Sequence, residues 1–285
     1  MVKRHPNGSS LVTVEWLKQH IRDQNLVVLD ASWFMPNTGR NGEQEWLQQR
    51  IPRARFFDFD QKIAAPNTEF PHMLPTVEQF AQEVGKLGIN NHSHIVVYDS
   101  QGIFSSPRVW WMFKVMGHDS VSVLDGGLPA WIEAAGYELE TDDPQPVVEQ
   151  KFNVQYQNNW VIDADNLHAK LNNSNVSVID ARPADRFYAL VAEPRAGVRS
   201  GHMPNAKNLP FPELIHCGRM LPANELSARF SALVAADQQL IFSCGSGVTA
   251  CILALAADLA GYENLTVYDG SWSEWGAVEK YPVVN

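Results

Sequence analysis

A cysteine between a predicted strand and a predicted helix is the residue whose surroundings point most directly to chemistry. Cys244 follows an apolar run and begins the segment CGSGVTA, in which Gly245 and Gly247 flank Ser246. The two glycines allow the backbone to curl so that successive N–H groups point inward, and the dipole of the following helix adds partial positive charge. Both effects stabilise a negative charge, so we expect Cys244 to react as a thiolate nucleophile. A buried structural cysteine is the alternative.

Three arginines lie together in the same half of the chain. The segment DARPADRFYALVAEPRAG contains Arg182, Arg186 and Arg195. A planar guanidinium group pairs with both oxygens of a carboxylate, which makes these residues candidates for binding a substrate carboxylate. The alternative is a set of solvated or structural ion pairs.

The chain repeats itself, and the repeat defines the elements that must position these residues. LVVLDAS at 26–32 matches VSVIDAR at 176–182, and VSVLDGG at 121–127 matches LTVYDGS at 265–271. In each half another apolar run leads through a small-residue turn into a helical stretch that stops at a glycine. Alternating strands and helices predict an α/β fold of two tandem domains, each a parallel sheet with helices on both faces.

Equal spacing aligns the two halves residue by residue. The interval from Ser100 to Asp125 equals the interval from Cys244 to Asp269. This alignment predicts that Ser100 stands in the first domain where Cys244 stands in the second, so that the second domain alone carries the cysteine.

The predicted domain boundary lies in an acidic, proline-containing segment without a hydrophobic period. This linker covers residues 141–151 and separates an N-terminal domain at 1–140 from a C-terminal catalytic domain at 152–285. A length of 285 residues fits two domains, and a hydrophobic content of 45% suffices for two buried cores.

Composition excludes several classes of function. A net charge of −10 argues against a phosphate-backbone binder, so we expect no nucleic-acid partner. The sequence lacks a signal-peptide pattern and any run of roughly 18 to 20 apolar residues, so we expect no membrane association. Three cysteines without a CxxC pair argue against disulfides and structural zinc. We therefore expect reduced thiols, a cytoplasmic location, and neither a metal nor an organic cofactor.

The segment CGSGVTA at 244–250 resembles the active-site loop of the rhodanese-fold sulfurtransferases, and its Gly-Ser-Gly sequence is similar to that of the 3-mercaptopyruvate sulfurtransferases. The resemblance covers nearly the whole chain, including the tandem domains. It implies that sulfur from 3-mercaptopyruvate forms a persulfide on Cys244, that pyruvate is released, and that the sulfur passes to cyanide or to a thiol acceptor such as a thioredoxin-type protein. It also implies a substrate-binding set made of Arg186, Arg195, Gly245, Gly247, Val248 and Thr249.

The same resemblance implies a proton relay. FFDFDQ at 56–61 and the histidine of FPHMLP resemble the segments from which these enzymes take an Asp and a His to pair with the loop serine. The catalytic relay here would consist of Asp60, His72 and Ser246. A hydrogen-bonded structural histidine is the alternative.

Three other functions use a similar loop. A thiosulfate sulfurtransferase usually has basic residues at the positions of Gly245 and Ser246, and a non-catalytic rhodanese-type binding module does not need Cys244. A cysteine phosphatase needs an arginine six residues after the cysteine, where this chain has Ala250. Phosphate transfer is therefore disfavoured.

The remaining chemically capable residues have structural interpretations. Cys251 lies in an apolar helical stretch and is predicted to pack in the core, whereas Cys217 in HCGRM is predicted to lie in an exposed loop. Arg182 is predicted to form an interior salt bridge. His92 and His94 have no third ligand nearby, so they do not indicate a metal site.

Overall fold

The computed structural model describes residues 9–134 and 136–285. The chain forms two compact units. The first unit comprises the chain up to Pro66, Leu74–Tyr156 and Cys217–Met220, and the second comprises Asn67–Met73, Gln157–His216 and Leu221–Asn285. Within the two described ranges, no helix combines the length and the apolar character needed to span a bilayer.

The first unit contains a five-stranded parallel sheet with helices between its strands. Its elements in chain order are β1 (Leu11–Val12), α1 (Val14–His20), β2 (Leu26–Asp30), α2 (Gly42–Gln48), β3 (Arg55–Phe56), α3 (Val77–Lys86), β4 (His94–Tyr98), α4 (Ser106–Val115), β5 (Val121–Leu124) and α5 (Gly127–Glu133). The strand order is β1-β5-β4-β2-β3, and each neighbouring pair is parallel.

The second unit repeats this topology. Its elements are β6 (Val161–Ile162), α6 (Ala164–Lys170), β7 (Val176–Asp180), α7 (Ala184–Phe187), β8 (Lys207–Asn208), α8 (Ala223–Ser231), β11 (Gln239–Ser243), α9 (Ala250–Leu259), β12 (Leu265–Tyr268) and α10 (Ser271–Trp275). Two short strands lie outside the five-stranded sheets: β9 (Ile215–His216) in the second unit, and β10 (Arg219–Met220), which belongs to the first unit. The parallel order β6-β12-β11-β7-β8 matches that of the first unit. The predicted α/β fold with an internal repeat is confirmed.

Local sequence explains these elements. All five residues of β2 are buried, and because side chains of a strand alternate between its faces, both faces of the sheet are covered. The helices α4 and α9 are followed by Gly117 at φ 78° and Gly261 at φ 90°, left-handed angles that glycine adopts without strain. Each unit has its own core, and matched positions contribute to both: Leu17, Val96 and Trp131 in the first, Leu167, Ile241 and Trp275 in the second.

The strand register shows which residues correspond in the two units. Asp30, the last residue of β2, lies opposite Tyr98 in β4. Asp180, the last residue of β7, lies opposite Ser243 in β11. Since β2 and β7 are matched strands of the repeat, Tyr98 corresponds to Ser243.

This register corrects the predicted counterpart of the cysteine. The next residue is Asp99 in the first unit and Cys244 in the second, so the alignment of Ser100 with Cys244 is wrong. Backbone hydrogen bonds agree, because the N–H of Leu128 donates to the carbonyl of Asp99 (3.0 Å) and that of Trp272 donates to the carbonyl of Cys244 (2.9 Å). The cysteine therefore has an aspartate as its structural counterpart.

Loop length is the reason for the error. Seven residues, 99–105, connect β4 to α4, whereas six residues, 244–249, connect β11 to α9. Equal spacing measured to residues beyond these helices therefore shifts the alignment by one position.

The matched aspartates at the ends of β2 and β7 have different electrostatic surroundings. Asp180 is buried against the guanidinium of Arg182, with 2.8 Å between Oδ2 and Nη2. The first unit has Ser32 in place of that arginine, and the carboxylate of Asp30 accepts the N–H of Ser32 at 2.8 Å. Burial without a cation raises the pKa of Asp30 from 3.8 to about 6.

We expect Asp30 to lower the stability of the fold as pH rises. The raised pKa means that the folded state keeps the proton of Asp30 while the unfolded state loses it, so stability is lost between pH 3.8 and about 6. A shift of about two pKa units corresponds to roughly 3 kcal/mol. The free energy of unfolding in urea should therefore be compared between Asp30→Asn and the wild type at pH 4 and at pH 7. Relative to the wild type, the variant should be more stable at pH 7 than at pH 4, by up to about 3 kcal/mol.

The control for this experiment is Asp180→Asn, which leaves the buried Arg182 without one of its two carboxylate partners and should be destabilised at pH 7. A difference between the wild type and Asp30→Asn that is constant from pH 4 to pH 7 would contradict the assigned pKa.

Candidate active site

Cys244 lies at the carboxyl end of β11, the central strand of the second sheet. Cys244 is buried, with 2% of its surface exposed. The six-residue loop that it opens leads into the N-terminus of α9, a helix of ten residues. In parallel α/β sheets the ends of the strands and the N-termini of the following helices form the usual site for anionic groups.

The start of α10 fixes the backbone of Cys244 on both sides. The N–H of Cys244 donates to the hydroxyl of Ser271 (3.1 Å), and its carbonyl accepts the N–H of Trp272 (2.9 Å). The Ser271 hydroxyl donates to the carbonyl of Tyr268 (2.9 Å) and lies 3.9 Å from the Cys244 sulfur. The single hydroxyl hydrogen thus has two alternative acceptors, the carbonyl of Tyr268 and the sulfur of Cys244.

Ser271 holds this place in a strained conformation. Its φ is 50°, whereas the first unit has Gly127 at φ 54° in the matched position. A left-handed φ costs a residue with a Cβ about 1–2 kcal/mol relative to glycine. The hydroxyl at this position therefore has a role that glycine cannot fill. Sequence analysis missed Ser271, although the repeat contained the signal in the change from DGG to DGS.

The loop after the cysteine presents unused backbone donors. Among the residues that the structure describes, the amides of Gly245, Ser246, Val248 and Thr249 have no hydrogen-bond acceptor. Four N–H groups beside one helix N-terminus form a cradle suited to a negative charge.

The matched loop of the first unit already encloses an anion. The Oδ2 atom of Asp99 accepts the N–H groups of Phe104 (2.9 Å), Ser105 (3.1 Å) and Ser106 (2.9 Å), together with the hydroxyl of Ser106 (2.6 Å). Its Oδ1 atom accepts the N–H of Gln101 (2.9 Å). This loop is therefore filled by its own carboxylate.

Comparison of the two loops indicates what the second one holds. Counted back from the first helical residue, Phe104 and Ser105 correspond to Val248 and Thr249. We expect the amides of Val248 and Thr249 to donate hydrogen bonds to a thiolate or a terminal sulfur on Cys244, as the amides of Phe104 and Ser105 donate to the carboxylate of Asp99.

Arg186 lies beside this loop and is held by a shared carboxylate. Its Nη2 atom is 3.4 Å from the point that a Cβ on Gly245 would occupy. The buried carboxylate of Glu193 accepts from Arg186 Nη2 (2.5 Å) and Nε (3.2 Å), and also from Arg182 Nη1 (2.8 Å). Arg182 is itself buried in the interior salt bridge that the sequence predicts. Glu193 was missed from sequence because nothing in its spacing marks it.

Arg195 reaches the same loop through a serine. Its Nη1 atom donates to the hydroxyl of Ser273, and that hydroxyl donates to the carbonyl of Gly245 (2.5 Å). The N–H of Ser273 donates to the same carbonyl at 2.9 Å. Both candidate substrate arginines thus connect to the first residue after the cysteine. Ser273 was also missed from sequence.

The three residues of the predicted relay are distributed over both units. Ser246 is half-buried in the loop, and His72 groups with the second unit, where it is buried with φ 62°. Asp60 belongs to the first unit, and its carboxylate accepts from the side chain of Gln61 at 2.8 Å. The relay stays a prediction.

The other cysteines match their structural interpretations. Cys251 is buried in α9, and its thiol donates to the carbonyl of Gly247 at 3.2 Å, which confirms the predicted core position. Cys217 is exposed, as predicted. In the part of the chain that the structure describes, no group of three His, Cys, Asp or Glu residues is arranged to hold a metal ion.

Comparisons with known proteins agree with this arrangement. Residues 13–134 and 163–278 each match the Rhodanese-like domain family. The chain is 42% identical to thiosulfate/3-mercaptopyruvate sulfurtransferase 1, mitochondrial, of Arabidopsis thaliana, covering 96% of this chain and 77% of the relative. It is 39% identical to the 3-mercaptopyruvate sulfurtransferase of Escherichia coli K12, covering 95% and 96%.

Solved structures give the same result. The crystal structure of SseA from Escherichia coli, described as a 3-mercaptopyruvate sulfotransferase, has a TM-score of 0.84 at 37% identity and covers 93% of this chain and 99% of its own. The yeast mitochondrial complex I sub-stoichiometric sulfur transferase subunit has a TM-score of 0.88 at 36% identity, with 96% and 99% covered.

If the loop after Cys244 is an anion cradle, it should accept a carboxylate in place of the thiol. We expect Cys244→Asp to be within about 1 kcal/mol of Cys244→Ser in unfolding free energy at pH 7, because backbone amides would solvate the new charge as they do around Asp99. The matched control is Cys251→Asp, another buried position but within a helix, where an uncompensated carboxylate should cost several kcal/mol. Equal, large destabilisation of both Asp variants in urea unfolding would refute the cradle.

Proposed function

This chain belongs to the rhodanese-like family of sulfurtransferases, and we propose that it transfers the sulfur of 3-mercaptopyruvate through a persulfide on Cys244. The observation that carries the proposal is the cradle of unused amides around Cys244, whose counterpart in the first unit encloses a carboxylate. Such a cradle stabilises the anion of a thiolate before the reaction and of a persulfide after it. The names and identities of the relatives support the choice of donor.

In the first step the Cys244 thiolate attacks the sulfur atom of 3-mercaptopyruvate. A sulfur–sulfur bond forms, and the carbon–sulfur bond of the donor breaks. Its electron pair leaves on carbon as the enolate of pyruvate, which takes one proton to become pyruvate. The enzyme is left with the persulfide Cys244–S–SH, so no external oxidant or reductant is needed.

Arg186 and Arg195 bind the carboxylate and the carbonyl of the donor in this proposal. Arg186 lies beside Gly245, and Arg195 reaches the carbonyl of that residue through Ser273. Two guanidinium groups beside the nucleophile hold a dipolar donor and stabilise the negative charge that develops on the departing enolate. The loop residues Gly245, Gly247, Val248 and Thr249 complete the substrate-binding set.

Proton movement is assigned to Ser246, with His72 and Asp60. The resemblance of their segments to those of 3-mercaptopyruvate sulfurtransferases supports this assignment. A histidine can exchange a proton near neutral pH, and a carboxylate fixes its tautomer, so the set suits protonation of the pyruvate enolate.

In the second step a thiol acceptor removes the outer sulfur. Its thiolate attacks the terminal sulfur of the persulfide, and Cys244 leaves again as a thiolate. We assign this role to a small thiol or a reduced thioredoxin-type protein, with cyanide as an alternative acceptor.

The three free cysteines of the chain fit a reducing compartment and our expectation of a cytoplasmic location. The division into domains at residues 141–151 also stays a proposal.

Thiosulfate is the second candidate donor. The Arabidopsis relative carries both donors in its name. The loop of this chain has Gly245 and Ser246 where basic residues would favour the dianionic thiosulfate, so we rank 3-mercaptopyruvate first.

Intact-mass measurement tests the proposal. Addition of 3-mercaptopyruvate should add one sulfur atom, about 32 Da, to the wild-type protein with release of pyruvate. Cys244→Ser should show no gain, whereas Cys251→Ser and Cys217→Ser should gain mass like the wild type. A gain with thiosulfate alone would make thiosulfate the donor, and no gain with either donor would favour a non-catalytic binding module.

Removal of the charge of Glu193 should weaken donor binding. Glu193→Gln loses the charged hydrogen bonds that hold Arg186, so we expect KM for 3-mercaptopyruvate to rise roughly tenfold with a smaller change in kcat. The matched control is Glu213→Gln, because Glu213 forms an exposed ion pair with Arg229 at 3.0 Å. Steady-state kinetics that show an unchanged KM in Glu193→Gln would remove Glu193 from the binding machinery.

A further inference from the structure

A cavity of about 750 Å³ lies in the first unit. The cavity is lined by β3, the edge strand of the sheet, by Gly88 in the turn after α3, and by residues 144–148 of the predicted linker, here called the linker segment. A cavity of this volume is in the range of small-molecule sites, and no role in sulfur transfer has been assigned to it.

Two of the cations around the cavity are neutralised. Lys62 pairs with Glu43 at 2.9 Å. Arg50 is buried and pairs with Glu140 at 3.4 Å, which also fastens the chain ahead of the linker segment.

Two further arginines have no carboxylate partner among the residues that the structure describes. Arg53 donates through Nη1 to the carbonyl of Ile21 (2.8 Å), and Arg55 donates through Nη1 to the carbonyl of Leu87. Each guanidinium has five N–H donors, so most of the donors of both groups are unused. Burial and the neighbouring charge of Arg53 lower the pKa of Arg55. The cavity thus has a surplus of two positive charges in a chain whose net charge is −10.

The linker segment contacts the turn at Gly88 beside Arg55. A Cβ on Gly88 would lie 2.3 Å from Val147 Cγ1, 3.0 Å from Arg55 Nη1 and 3.1 Å from the carbonyl oxygen of Val148. Gly88 also has φ 68°, so only glycine suits this contact. A ligand bound at Arg55 would therefore contact the linker segment as well as the sheet edge.

The linker segment is held on one side by the ion pair at Glu140 and on the other by a backbone hydrogen bond at Gln150. Arg50 holds Glu140, and the N–H of Gln150 donates to the carbonyl of Gly85 at 2.9 Å. Within the described ranges, residues 143–149 form no backbone–backbone hydrogen bond. A segment without such bonds opens locally at low cost, which gives a ligand a way into the cavity.

We propose that this cavity binds a small polyanion, a molecule with two or more carboxylate or phosphate groups, between Arg53 and Arg55. Each guanidinium can bind one anionic group through paired N–H donors, and two such groups neutralise the surplus charge. The uncharged lining residues Gln24, Asn25, Asn90 and Gln145 supply further hydrogen bonds to the ligand.

Titration calorimetry of the full chain with pyrophosphate, citrate and acetate tests this proposal. We expect saturable one-to-one binding of pyrophosphate or citrate, at least tenfold tighter than that of acetate, and weaker at high salt. The tighter of the two polyanions identifies phosphate or carboxylate as the ligand group. Arg53→Gln and Arg55→Gln should each weaken binding about tenfold.

Two controls separate this cavity from other anion sites. Arg229→Gln makes the same charge change on an exposed arginine of the second unit and should leave binding unchanged. Arg186→Gln alters the cysteine site and should also leave it unchanged. Loss of binding in Arg186→Gln with retention in Arg53→Gln would place the anion at the cysteine site and overturn the proposal. Absence of saturable binding by both polyanions would overturn it as well.

Arg53 keeps the test decisive if Arg55→Gln does not fold, because the residue is exposed and its replacement disturbs little packing. Retained sulfurtransferase activity in Arg53→Gln would show that the fold is intact, since Arg53 lies outside the proposed catalytic machinery. Unchanged polyanion binding in that active variant would exclude the site.

Discussion

A negative charge held by backbone N–H groups at the end of a central strand is the constraint on which both halves of this protein depend. The first unit meets it permanently with the carboxylate of Asp99, which accepts the amides at the start of α4. The second unit has Cys244 at the same position, and the amides of Gly245, Ser246, Val248 and Thr249 have no acceptor in the described part of the chain. Backbone donors grouped at a helix N-terminus favour an anion, and the thiolate and persulfide of our proposal would supply that charge in the second unit.

Charge pairing also organises the interior next to this loop. Arginine and carboxylate alternate in the order Asp180, Arg182, Glu193 and Arg186, and the last guanidinium lies beside the loop. Each buried charge in this series has a partner of opposite sign, which is the condition under which burial of charge is tolerated. Glu193 therefore holds Arg186 through Nε and Nη2, and no hydrogen bond from Nη1 to another described residue is present. Interior ion pairs thus fix the position of a guanidinium beside the loop.

Sequence analysis predicted the fold and the place of Cys244 at the end of a strand, but not the residues that surround it. The repeat identified both sheets, the helices after β4 and β11, and the cysteine at a strand end, because hydrophobic periodicity and glycine punctuation reflect local structure. It misaligned the cysteine with Ser100, because the first loop is one residue longer than the second. Sequence intervals counted from the loop to residues after the helix do not reveal that difference. Glu193 and Ser273 were missed because their roles depend on contacts between segments far apart in the chain. Ser271 alone left a signal, as a serine where the other copy has glycine.

The difference between the two copies accounts for the difference in their chemistry. Where the first unit has Asp99, Ser32 and Gly127, the second has Cys244, Arg182 and Ser271. The first exchange replaces a carboxylate that fills its own loop by a thiol. The second introduces the cation that neutralises Asp180 and begins the series ending at Arg186, whereas Asp30 stays buried with a raised pKa. The third adds a hydroxyl behind the cysteine at the cost of backbone strain. At this matched position the backbone strain thus lies in the unit that carries Cys244, whereas the first unit keeps the relaxed glycine and a loop filled by its own carboxylate.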